Sequence, residues 1–184
     1  MKRQFCLSLA GLMACAGLAF AAAKSGLEVG SEVPAFYVQD VTGKFAAEKP
    51  LCYRCRYGAR PVVTVFTHNP DANIEALAKK IDAAVGEHKR EKMAAFVVVL
   101  SDKPKDHEAK LKEIAKKAGG LSNVPLTTFE NAEGPAEYKL SKDAETTVMM
   151  WVEGEVKVNH AFAKGELNEK AIEAIMADTS KILN

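Results

Sequence analysis

Pro61-Val62-Val63-Thr64-Val65-Phe66-Thr67-His68-Asn69-Pro70-Asp71 sets a β-branched apolar run directly before a helix start. A strand over 61–67 that is apolar at nearly every position has both faces covered, whereas a half-solvated strand alternates. Asp71 offers a side-chain acceptor to the unpaired N–H groups of a helix N-terminus. Beyond it, Ile74, Leu77, Ala78, Ile81 and Val85 recur at a 3.6-residue period, one buried stripe that Gly86 is expected to close. Ala94-Ala95-Phe96-Val97-Val98-Val99-Leu100 is a second fully buried strand. Strand, helix and strand together make a parallel βαβ crossover.

Further along, 105–118 reads as a helix with Leu111, Ile114, Ala115 and Ala118 inward, closed by Gly119-Gly120. A third strand is expected over 124–129 and a short helical piece over 135–140. Residues 146–152 and 155–162 form two strands joined at Glu153-Gly154, a tight hairpin signal. A closing helix over 167–183 turns Ala171, Ile172, Ile175, Thr179 and Ile182 to one side. Upstream of the opening stretch, 33–44 reads as extended chain ending in a turn at Thr42-Gly43, and 45–60 as a loop. The sum is an α/β domain with a central mixed sheet, parallel strands, a C-terminal antiparallel hairpin and helices on both faces.

Three stretches carry a resemblance to a known family. Gly30-Ser31-Glu32-Val33-Pro34-Ala35-Phe36 with Asp40-Val41-Thr42-Gly43-Lys44 resembles the opening of the redoxin and peroxiredoxin branch of the thioredoxin fold. Residues 60–66 resemble the strand leading into that branch's active site, and 147–156 its late hairpin. The likeness runs from about Val29 to the C-terminus. It implies a thioredoxin-like fold and, in redox-active members, a cysteine just after the first buried strand, where the following helix's N–H groups stabilise a thiolate. Here that place reads Thr67-His68-Asn69-Pro70-Asp71, without cysteine. The proline that thioredoxins carry in cis form before the hairpin's first strand is replaced by Thr146.

The N-terminus has three zones: Lys2 and Arg3, an apolar run over 5–14, and small residues over 19–23. This is the pattern of a secretion signal, with cleavage expected near Ala21 to Ala23 and a single domain over 24–184. Leu12-Met13-Ala14-Cys15 loosely resembles a lipobox, although methionine suits it poorly and the apolar run continues past Cys15. The run is shorter than the ~20 residues of a spanning helix, and no later segment approaches that length. Losing Lys2 and Arg3 takes the charge count from 25 basic and 24 acidic to 23 and 24, a near-neutral mature chain. Such a surface gives no electrostatic reason to expect nucleic acid or an anionic membrane as partner.

Export leaves two of the four cysteines, Cys52 and Cys55, spaced as CxxC but upstream of the strand instead of after it. By topology the pair lies near the strand's N-terminal end, opposite the fold's usual active edge. Lys49, Arg54, Arg56 and Arg60 make a cationic setting, which favours thiolate, while Tyr53 and Tyr57 offer a contact face to a partner. Three readings are open. Cys52 and Cys55 are a redox dithiol exchanging with protein thiols or disulfides; or they form a disulfide by default in an oxidising compartment and pin the 45–60 loop. The third is half of a tetrahedral metal site, needing His68, His88, His107, His160 or a second chain to complete it. Covalent haem attachment is not expected, because Arg56 stands where CxxCH needs histidine. No cofactor is expected, and His68 is expected to terminate its strand more than to serve as ligand or acid/base group. Met149, Met150 and Trp151 are expected in the core, since neighbours on a strand face opposite ways.

Overall fold

The computed structural model describes residues 24–46 and 49–183; the expected secretion signal and Cys15 lie outside them. The opening stretch folds as read. Strand β2 (Val62–Thr67) is buried at every position and is followed by helix α2 (Ala72–Glu87), capped by Asp71 through the backbone N–H groups of Asn73 and Ile74. Strand β3 (Ala94–Leu100) pairs with β2 in parallel, Val62 opposite Ala94, and completes the crossover.

Around that unit stand β1 (Gln39–Asp40), α1 (Tyr53–Tyr57), α3 (Lys105–Lys117), β4 (Leu126–Phe129), β5 (Thr146–Val152), β6 (Glu155–Phe162) and α4 (Glu169–Asp178). The six strands form one mixed sheet in the order β1-β4-β3-β2-β5-β6. β2, β3 and β4 run parallel, while β5 and β6 add the antiparallel hairpin and β1 an antiparallel edge.

Period-two alternation sorts the sheet's side chains into two cores. Val63, Val65, Val97, Val99, Val148 and Met150 share one with Ile74, Leu77, Leu111, Ile114, Ile172 and Ile175, so the three long helices pack on a single face. Val62, Phe66, Phe96, Val98, Met149 and Trp151 share the other with Leu27, Phe36, Leu51, Tyr53 and Tyr138. There the covering layer is α1, a 3-10 turn (Ala136–Tyr138) and the extended N-terminal segment. A bulge lies between Met150 and Trp151. It lets Val156 and Val158, two apart on β6, reach opposite cores.

Several boundaries differ from the sequence reading, most by one or two residues. Helix α2 runs one residue through Gly86, and α4 ends at Asp178, passing into a 3-10 turn (Thr179–Lys181). The extended 33–44 segment contributes only two residues of regular strand, because Val38 pairs its backbone with Leu51 and not with β4.

Candidate functional site

The expected loop over 45–60 contains a helix. Residues Tyr53–Tyr57 form one short turn capped by Cys52, whose sulfur accepts the Cys55 backbone N–H at 3.0 Å. Cys52 and Cys55 are joined in a disulfide, Cα atoms 5.3 Å apart. The two residues differ in exposure: Cys52 is buried at 6%, and Cys55 is exposed.

Three anchors hold this turn against the sheet. Asp40, 1% exposed, accepts from the backbone N–H of Gly43 at 2.8 Å and of Phe45 at 3.0 Å, and from the Tyr53 hydroxyl at 2.8 Å. A carboxylate so deeply buried is tolerable only when its oxygens are hydrogen-bonded, and these three donors do that. Gly43 is obligatory here, since a Cβ would stand 2.6 Å from the Asp40 carboxylate. The second anchor is aromatic: Tyr53 stacks on Phe96 with ring centroids 5.3 Å apart, and the Tyr57 hydroxyl donates to the Ala95 carbonyl at 3.2 Å. Burial pushes both phenols well above the usual tyrosine range, with the neighbouring Asp40 carboxylate adding to the effect on Tyr53. The third is Arg54, which donates from Nε to the Val33 carbonyl at 3.0 Å and lies against Gly154 in the hairpin turn.

These contacts correct two expectations. Tyr53, 3% exposed, is a core residue and no partner surface, because its ring and hydroxyl are both spent on the sheet. Part of the cationic ring is structural too: Arg54 serves Val33, and Arg60 serves the carbonyls of Lys92 and Met93. Arg56 instead lies over the Phe45 ring, 4.0 Å from its centroid.

The disulfide sits at the N-terminal end of β2, beside the hairpin turn, where the Glu153 N–H reaches the Ala59 carbonyl at 3.0 Å. The family's usual active position is at the far end of β2, about 20 Å away along six residues. There Asp71 occupies the N-terminal N–H groups of α2, and Thr146 shares a 3.2 Å hydroxyl contact with Thr67. His68 stands at that end, half-buried, its backbone N–H bonded to the Glu145 carbonyl. Burial lowers its pKa below the ordinary histidine value, opposed by Glu145. His160 pairs with Asp178 at 2.9 Å and His88 approaches Glu91 at 3.7 Å. Among the described residues no group of three or more His, Cys, Asp or Glu is placed to hold a metal ion. Met149, Met150 and Trp151 are fully buried, as the alternation required.

The residue the sequence reading missed is Asp40. Its signal was present, an aspartate three residues before a glycine, which marks a side-chain-capped turn.

Fold and site together define a thioredoxin-like protein without a cysteine at the fold's usual position. Solved structures agree on the fold. A provisionally assigned protein disulfide isomerase from Bacteroides thetaiotaomicron superposes with a TM-score of 0.64 at 17% identity, over 88% of this chain and 94% of that one. A provisionally assigned thiol:disulfide interchange protein, DsbE, from Chlorobium tepidum gives 0.57 at 15%, over 83% and 99%. A peroxiredoxin-like protein from Aquifex aeolicus gives 0.54 at 15%, over 85% and 90%. No family model and no curated protein sequence matches the chain.

Proposed function

We propose that this chain is an exported thioredoxin-like protein whose Cys52–Cys55 disulfide exchanges with protein thiols. The observation that carries the reading is the asymmetry of the pair: Cys55 is an exposed residue, and Cys52 is a buried one whose sulfur receives a backbone N–H. Exchange proceeds by thiolate attack on one sulfur with the other departing, and the leaving sulfur departs faster when its negative charge is stabilised.

A partner thiolate attacks Cys55 Sγ, the Cys52–Cys55 bond breaks, and Cys52 leaves as a thiolate held by the Cys55 N–H. The partner's second thiolate then attacks its own sulfur in the mixed disulfide and releases Cys55 as a thiolate, which takes a proton from water. The partner dithiol is oxidised and the Cys52–Cys55 pair gains two electrons. In the opposite direction Cys55 attacks and Cys52 resolves. This order inverts the roles within the motif relative to a CxxC whose first cysteine is the exposed one.

A trapping experiment tests the assignment. Cys52→Ser leaves Cys55 free to form mixed disulfides that persist, so partner adducts accumulate. Cys55→Ser leaves only a buried thiol, and adducts are expected to fall at least about tenfold, in line with the dependence of exchange on access. Equal trapping by both variants contradicts the order. The competing reading, a disulfide that only secures α1, predicts no adducts with either.

A further inference from the structure

A helix of five residues has little stability of its own, because nucleation costs more than so few hydrogen bonds return. α1 is that short, and contacts that include neither sulfur hold it to the rest of the fold. Immediately before Cys52, Leu51 and Val38 exchange both backbone hydrogen bonds, at 2.9 and 3.0 Å. Immediately after it, the Tyr53 ring stacks on Phe96 and its hydroxyl donates to Asp40. Between the cysteines Arg54 donates to the Val33 carbonyl. Beyond Cys55, Tyr57 packs on Tyr53 with ring centroids 5.3 Å apart and donates to the Ala95 carbonyl. The backbone is thus tied before, between and after the two cysteines, to the N-terminal segment, to β1 and to β3.

The Tyr53–Asp40 tie has both of its ends buried, so losing it leaves a carboxylate oxygen short of a donor. Its place in the chain matters as much, since Tyr53 lies between the two cysteines and directly follows Cys52.

We propose that Asp40 and Tyr53 are positioning residues for the Cys52–Cys55 pair, holding the two thiols of the reduced form in register and so setting how readily the disulfide re-forms. Reduction by two molecules of glutathione breaks the Cys52–Cys55 bond, gives the pair two electrons and two protons, and yields glutathione disulfide. Closing the bond again is intramolecular, and its equilibrium rises with the effective concentration of one thiol at the other. Ties that do not depend on sulfur keep that concentration high, because the backbone around the thiols has already lost its freedom. By linkage the coupling is reciprocal: the disulfide strengthens the docking of α1, and the docking of α1 strengthens the disulfide. The use of this tuning in exchange with partners rests on the redox reading above; the tuning itself does not.

The test equilibrates the purified protein with glutathione and glutathione disulfide at about pH 7, and reads alkylation at Cys52 and Cys55 by mass spectrometry. Tyr53→Phe keeps the ring on Phe96 and removes only the tie to Asp40. It is expected to lower the equilibrium constant for disulfide formation about fivefold, which at about 30 mV per tenfold raises the potential by ~20 mV. Asp40→Asn should act in the same direction, and the double variant should shift by less than the sum of the two, since Asp40 acts on the pair through Tyr53. Should Asp40→Asn fail to fold, Tyr53→Phe alone decides. Asp71→Ala, which loosens α2 at the other end of β2, is the control for a general loss of stability and should leave the equilibrium unchanged.

A merely structural Tyr53 lowers the melting temperature equally in the oxidised and reduced protein and leaves the equilibrium where it was. That result overturns the inference, and so does an equal shift from Asp71→Ala. Failure of the redox reading looks different: no partner adducts form in the trapping experiment, while the equilibrium still moves with Tyr53→Phe. Adducts that form while the equilibrium ignores Tyr53→Phe leave the redox reading standing and remove the positioning role.

Discussion

Asp40 decides where the disulfide stands. Its carboxylate collects Gly43, Phe45 and Tyr53, and Tyr53 opens the turn whose cap is Cys52. Removing one donor from a buried carboxylate costs about 1–3 kcal/mol. Tyr53→Phe is therefore expected to lower the melting temperature by roughly 3–10 °C at this chain length. Thermal unfolding monitored by circular dichroism checks it, and a shift under 1 °C contradicts the anchoring role. His68 makes a separate prediction at the same scale. Its folded pKa is depressed by burial, so its stabilising contribution is complete above the unfolded value and is lost as pH falls through the folded one. Acidification from about pH 7 toward pH 5 should cost stability, given the ordinary histidine value of about 6.5. His68→Asn should flatten that part of the stability profile; an unchanged slope refutes the assignment.

At the scale of elements, the caps and the disulfide carry separate, measurable shares. Asp71 bonds the Asn73 and Ile74 N–H groups at the start of α2, so Asp71→Ala should cost about 1 kcal/mol in denaturant melts. The Cys52–Cys55 link closes a very short loop, and the loop-entropy argument allows it only about 2 kcal/mol. Cys52→Ser/Cys55→Ser is expected to destabilise the chain by no more than that amount. A much larger loss favours the purely structural role. Which elements were legible follows from their length and burial. β2, β3, β5 and β6 and the three long helices declare themselves because a buried face imposes a period over seven or more residues, or an unbroken apolar run. Helix α1 does not: five residues, Tyr-Arg-Cys-Arg-Tyr, hold no period, and its cap is a cysteine sulfur instead of the usual oxygen. The edge strand β1 is equally silent, since only two of its residues pair regularly. The displaced position of the CxxC, by contrast, was readable, because it follows from chain order alone. Its unequal burial was not, for it depends on Asp40 and Phe96, which reach α1 from elsewhere in the fold.

For the whole molecule, the disulfide stands at the opposite end of β2 from the place where the redoxin pattern puts its thiolate. The C-terminal edge of β2, where the redoxin pattern places its thiolate, is occupied by an aspartate cap and a threonine pair. The opposite edge holds the disulfide and the hairpin turn. The fold is retained, while the chemistry proposed for it lies at the end opposite the fold's usual active edge. The reduction potential of the Cys52–Cys55 pair, measured by equilibration in thiol redox buffers and quantified by alkylation, tests that claim most directly. An exchanging pair should titrate above about −300 mV; a value below it, with the disulfide resisting glutathione, would mark the link as purely structural.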